Sequence, residues 1–205
     1  MTHPADDSHL VEQPTGHSTL LHSGFIELRR DVVRLPDGRT ATREYIRHCG
    51  AVAVVALRDD GQMVLVRQHR HPVGKVLLEL PAGRLDAGEE TLACAMRELR
   101  EETGYTASEW AYGGAIHNAA AYSSESIWIW FARGLRAGPV QLDEGEFVET
   151  VCLPVGELQA LADREELPDV KTQIGLQWLQ RWQAGLRVLH WQQAGEPANP
   201  VKAAR

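Results

Sequence analysis

From Gly24 onward the chain sets apolar and polar positions in short blocks separated by turn signals, which is the pattern of strands. Phe25–Leu28 and Asp31–Leu35 come first, Pro36-Asp37-Gly38 makes a turn, and Arg39–His48 follows. Together they predict a small antiparallel sheet whose strands return on each other. Ala51–Leu57 (AVAVVAL) is apolar without a break, as expected of a strand buried on both faces. Asp59-Asp60-Gly61 turns the chain into Met63–Gln68, and Lys75–Leu80 is a short strand stopped at Pro81. Further strands are expected at Glu109–Ala115, Ile127–Phe131 and Phe147–Leu153.

Helical spacing appears in three places. Glu89 to Thr103 is closed by Gly104 in the C′ position, and Asp86 with Glu89 has the form of a capping box. Val155–Ala162 and Asp169–Ala184 are the other two helices. No repeat or low-complexity tract is present. The order of elements predicts a mixed sheet with helices packed on it, an α/β or α+β layered fold. Residues 1–23 are polar with two prolines, and 194–205 are similar, so both are expected to be disordered. That leaves a small N-terminal sheet over 24–48 and a main domain over 49–193.

Composition narrows the class. At 205 residues the chain can bury a core without disulfides or a structural metal. A net charge of -7 argues against binding a nucleic-acid backbone, although metal ions and a few arginines can still make a pocket for a small anion. Cys49, Cys94 and Cys152 form neither a disulfide framework nor a zinc pattern, which suits a reducing cytoplasm. No apolar run reaches the roughly 18 residues of a membrane span, and no signal core opens the chain.

The chemistry is concentrated in GRLDAGEETLACAMRELREETGY, from Gly83 to Tyr105. Residues three and four apart share a helix face, so Glu98, Glu101 and Glu102 project together while Leu92, Ala95, Met96 and Leu99 turn inward. Like charges at this spacing each cost an isolated helix about 0.2–0.5 kcal/mol, and the C-terminal end of the helix dipole disfavours them further. Hard divalent cations would compensate them. Arg97 and Arg100 could also do so on a merely solvated acidic face.

The surrounding residues separate these readings. The span matches G-x5-E-x7-R-E-U-x-E-E-x-G-U at Gly83, Glu89, Arg97, Glu98, Glu101, Glu102 and Gly104. Leu99 fills the first apolar slot, and Tyr105 fills the last with an aromatic. The segment resembles the Nudix hydrolase family, whose fold is an α/β/α sandwich with a mixed central sheet. The resemblance implies two or three magnesium or manganese ions, with Glu98 and Glu102 as principal ligands and Glu101 sharing a metal or water. It implies that Arg97 orients the carboxylates through a salt bridge and that Glu89 supports the loop or holds a further metal through water.

The flank VLVRQHRHPVGKVLLELPAG, Val64 to Gly83, is similar to the ADP-ribose pyrophosphatase branch. By that similarity the carbonyl oxygen of Ala82 is a metal ligand, Arg70 contacts the substrate's phosphate or terminal ribose, and Arg43 and Glu44 sit where nucleotide contacts are made. Asp169-Val170-Lys171-Thr172 matches the start of that branch's last helix. One departure stands out. Where the branch carries S-P-G-[FY]-S-x-E, this chain has Ala119-Ala120-Ala121-Tyr122-Ser123-Ser124-Glu125, keeping Glu125 as a candidate base but losing Ser-Pro-Gly.

The resemblance therefore implies metal-dependent hydrolysis of a nucleoside diphosphate linked to another group, with ADP-ribose giving AMP and ribose 5-phosphate as the leading case. GDP-mannose or a UDP-sugar is the first alternative. A non-catalytic nucleotide-sensing module is the second, and a nucleotide sanitiser fits less well. The strands from Gly24 to Arg47 are too few to stand alone, and in the branch they pair across a homodimer. A cytoplasmic homodimer without nucleic-acid or membrane partners is the expectation.

Overall fold

The computed structural model describes residues 13–142 and 144–195, which form two compact units. The expected disorder of 1–12 and 196–205 falls outside the described residues.

The smaller unit runs to Cys49 and takes in residues 119–125. Strands β1 (Gln13–Ser23), β2 (Ile26–Arg34) and β3 (Thr40–Arg47) form an antiparallel sheet in that order. β1 corrects the expectation that the chain is unstructured up to residue 23. All of its residues are exposed, and bulges interrupt it after Pro14 and after Thr19. A strand held by its backbone ladder, with no buried face, shows no apolar alternation to read. β2 also runs unbroken where the sequence suggests two strands, because Arg29 and Arg30 stay in register with Tyr45 and Glu44. Val33 is the one buried apolar residue among this unit's described residues. The 119–125 segment is tied to β3 at Ile46, whose amide donates to the Tyr122 carbonyl (2.8 Å) and whose carbonyl accepts from the Ser124 amide (2.9 Å).

The larger unit contains β4 (Ala51–Leu57), β5 (Gln62–Arg70), β6 (Lys75–Glu79), β7 (Ala82–Arg84), β8 (Thr106–Ile116), β9 (Ile127–Arg136), β10 (Val148–Pro154) and β11 (Trp191–Gln193). Its helices are α1 (Thr91–Thr103), α2 (Val155–Asp163) and α3 (Val170–Gln183). The sheet order is β10-β5-β4-β9-β8-β11, with β6 added to β5 and β7 to β4. The β4–β9 pair is parallel and the other pairs are antiparallel. β7, β11 and a 3-10 turn at His71–Val73 were not expected, since three residues are too short to display a period.

β4 lies in the middle, buried on both faces as its unbroken apolar run requires. Val52, Val54 and Ala56 join Leu92, Ala95 and Leu99 of α1 in one core. Ala51, Ala53 and Val55 join Leu158 of α2 and Leu176 and Leu179 of α3 in the other. The unit is thus a sheet between two helical layers. β4 pairs with β5 only at Ala56–Leu57 and with β7 at Ala51–Ala53, so the two partners diverge and the Leu80–Ala82 approach runs beside the sheet's centre.

α1 begins at Thr91, later than expected, and its N-cap Glu90 makes no side-chain cap bond. Asp86 is therefore not the cap. Half of the anticipated box survives in the preceding turn, where the Asp86 amide donates to Glu89 Oε2 (3.0 Å). α3 has the orthodox arrangement, with Asp169 accepting from the Thr172 amide (2.9 Å). No helix among the described residues is long and apolar enough to cross a membrane.

Candidate active site

One arginine organises the outer part of the acidic face of α1. Arg97 donates from Nε to Glu89 Oε1 (3.0 Å) and from Nη2 to Glu89 Oε2 (2.9 Å), a bidentate grip. Its Nη1 reaches Glu98 Oε1 (2.6 Å) and Glu101 Oε2 (3.1 Å). These hydrogen bonds hold the Glu89 carboxyl down at about 2. The three carboxylates are thereby locked around a single cation.

Glu102 is in a different position. It is 2% exposed, and among the described residues its carboxylate accepts one hydrogen bond, at Oε2 from the Ala82 amide (2.9 Å). Burial pushes its carboxyl up to about 8; the Ala82 bond opposes this, the nearby charges of Glu98 and Glu146 add to it, and Arg70 pulls it down. Burial also raises Glu98, against the pull of Arg97. Glu146, in the turn before β10, acts on both Glu98 and Glu102, so a fourth carboxylate faces the helix. The backbone is drawn in from the opposite side. A Cβ on Gly83 would lie 1.9 Å from the Glu98 carboxyl carbon, so any larger residue there would push the Glu98 carboxylate out of its place.

This donor set fits a hard divalent cation. Glu98 and Glu102 are oxygen donors taken out of water, and the Ala82 carbonyl belongs to the segment packed against them. Among the described residues no three carboxylate, imidazole or thiol groups already close around one point. The arrangement is a partial shell, of the kind magnesium shares with water and phosphate oxygens.

Arg70, at the end of β5, binds Glu79 through Nε and Nη2, both at 2.8 Å. The structure therefore brings Arg70, Ala82, Arg97, Glu98, Glu101 and Glu102 together within one unit. Arg43, Glu44 and Glu125 belong to the smaller unit. Arg43 and Glu44 are neighbours on β3, so their side chains leave opposite faces, and Glu44 pairs with Arg30 across the ladder (2.7 Å to Nε). Glu125 lies 3.7 Å from His48 Nδ1.

Three residues of this region were missed in the sequence. Glu79 and Lys171 are buried charges, and Glu146 sits in an acidic turn that reads as solvated. A lone charged residue ending an apolar strand, as in KVLLE, is the signal that could have found Glu79.

Comparison with known proteins points the same way. The model of the NUDIX domain matches residues 47–173. The "Methanol dehydrogenase activator" of Bacillus methanolicus is 36% identical over 85% of this chain and 96% of its own length. The "ADP-ribose pyrophosphatase" of Bacillus subtilis is 35% identical over 83% and 94%. That of Mycobacterium tuberculosis is 50% identical over 58% of each. A solved structure described as an ADP compounds hydrolase superposes with a TM-score of 0.74 at 22% identity, covering 85% of this chain and 95% of its own, which shows the shared fold.

Proposed function

The chain belongs to the NUDIX family and is a hydrolase, and from that premise we propose that it cleaves the pyrophosphate bond of ADP-ribose to give AMP and ribose 5-phosphate. One observation carries the reading. Glu98 and Glu102 are taken out of water on one face of α1, with the Ala82–Gly83 backbone packed against them.

Hydrolases of this family use divalent metal ions. In this chain magnesium or manganese, two to three ions, would be held by Glu98 and Glu102 with help from Glu101 and the Ala82 carbonyl. Such an ion supplies positive charge against the diphosphate and lowers the pKa of a water. The chain's own residues do the remaining work. Arg97 fixes Glu98 and Glu101 in place. Arg70 meets the diphosphate, and Arg43 and Glu44 serve the nucleotide. Glu146, which acts on both box glutamates, is the first candidate to hold the proton of the attacking water, and Glu125 is the second.

A homodimer belongs to the same reading. The small sheet has Val33 as its buried apolar residue but exposes Leu20, Leu21, Phe25 and Val32, a surface for a second copy to cover. A monomeric mass at micromolar concentration would remove that part. The free thiols of Cys49, Cys94 and Cys152 suit a cytoplasmic location.

The test is turnover of ADP-ribose, GDP-mannose and a UDP-sugar at fixed magnesium, with product monoesters converted to inorganic phosphate. ADP-ribose should be fastest. A faster GDP-mannose or UDP-sugar would replace the substrate, and no turnover of any of them would favour a sensing module.

A further inference from the structure

Glu79 ends β6 at 1% exposure. Its carboxylate accepts the two-pronged fork of Arg70, and its Oε2 also accepts from Lys171 Nζ. Burial alone would raise this carboxyl, but Arg70 and Lys171 hold it below its ordinary value. Lys171 continues to Asp169 Oδ1 (3.0 Å), and Asp169 Oδ2 accepts from the amide and hydroxyl of Thr172 (2.9 and 2.5 Å). The Thr172 hydroxyl in turn accepts from the Leu80 amide (2.8 Å). Two cations and two anions cancel, so no buried charge lacks a partner.

The set treats its two cations differently. The Lys171 side chain lies inside at 10% exposure, whereas that of Arg70 stands at the rim at 38%. A guanidinium has five N–H donors. Glu79 occupies one edge, and Nη1 enters none of the hydrogen bonds among the described residues. Glu79 stands three residues before Ala82, whose amide donates to Glu102 Oε2 (2.9 Å), so the Arg70 fork is anchored on the same short segment that meets the carboxylate face of α1. A second cation behind the carboxylate leaves the arginine at the rim.

We propose that Glu79 and Lys171 are positioning residues for the substrate: they grip the Arg70 guanidinium by one edge so that its other edge meets the diphosphate beside Glu102. The proposal rests on the reading of the site given above. Fixing the guanidinium in advance removes rotamer freedom that a loose arginine would lose on binding.

The test is KM and kcat for ADP-ribose at saturating magnesium in the wild type, Arg70→Ala, Glu79→Asp and the double variant, with a melting temperature for each. Arg70→Ala should raise KM about 10- to 100-fold, as expected for a lost charged donor. Glu79→Asp keeps the charge but withdraws the fork by one methylene. It should raise KM about 5-fold or more with kcat within about twofold, and add nothing when Arg70 is already alanine. If Arg70→Ala raises KM while Glu79→Asp does not, or if their effects multiply in full, the proposal fails and the site reading stands. A wild-type KM in Arg70→Ala, or no turnover of ADP-ribose, removes the site reading and the proposal with it. Should Glu79→Asp melt below the assay temperature, Arg70→Lys replaces it, keeping the charge without the fork. It should match Arg70→Ala in KM, and a wild-type KM there would overturn the proposal.

Discussion

Glu79 and Glu102 are both glutamates of the same unit, 1% and 2% exposed, and they have opposite electrostatic fates. Arg70 and Lys171 surround Glu79 and keep it ionised. Glu102 has one backbone amide and two like-charged neighbours, and its carboxyl rises to about 8. Burial is common to both, so burial does not distinguish a structural charge from a functional one. The distinction lies in whether the protein itself supplies the countercharge. At Glu79 it does; at Glu102 the proposed reading has a bound cation bring it.

Substitutions can break this contrast. The largest expected effect is on turnover. Glu102→Gln should lower kcat about 10²–10⁴-fold with the fold intact, measured at saturating magnesium and ADP-ribose. Activity within a few-fold of the parent would contradict the metal assignment. Next comes stability. Glu79→Ala strands Arg70, leaves Lys171 with Asp169 alone and should cost roughly 3–5 kcal/mol in denaturant unfolding, whereas Glu102→Gln should stabilise the metal-free protein at neutral pH. Equal signs for the two variants would erase the comparison.

A pH titration of stability sharpens it further. Because the Glu102 carboxyl is raised from 4.5 to about 8 in the fold, the folded protein keeps a proton that the unfolded chain loses across that window. Metal-free stability should therefore fall as pH rises from about 4.5 to about 8 and level off above, by up to roughly 5 kcal/mol relative to Glu102→Gln. Parallel pH curves for parent and variant would refute the raised value. The smallest effect is reserved for an exposed pair. Arg30→Ala, which removes the half-exposed partner of Glu44, should change stability by about 0.5 kcal/mol or less in the same unfolding measurement.

Much of this was legible in the sequence, and the pattern of what was not is informative. β4 came through intact because a run buried on both faces leaves an unbroken apolar stretch, Ala51–Leu57. The placing of Glu98, Glu101 and Glu102 on one helix came through because a helix fixes their spacing. β1 did not, because exposed residues held by a backbone ladder carry no side-chain pattern. The start of α1 was misread because Asp86 and Glu89 close a turn ahead of the helix, the Glu89 amide going to the Asp86 carbonyl (3.1 Å) and the Asp86 amide to the Glu89 carboxylate (3.0 Å). Glu146 and Lys171 escaped for a shared reason. Each reaches the region through tertiary packing, from a turn and from α3, and nothing local in the chain records that placement.

Three consecutive residues of the approach to α1 are fastened to three different parts of the unit. The Leu80 amide goes to Thr172 of α3, the Pro81 carbonyl accepts from Val54 of β4 (2.9 Å), and the Ala82 amide goes to Glu102 of α1. A tripod of this kind cannot rock while all its feet hold. Lengthening the loop ahead of α3, or shortening the side chain at Thr172, frees one foot and lets the segment pivot on the other two. Catalytic efficiency should then respond to changes in a helix cap that no nucleotide would touch.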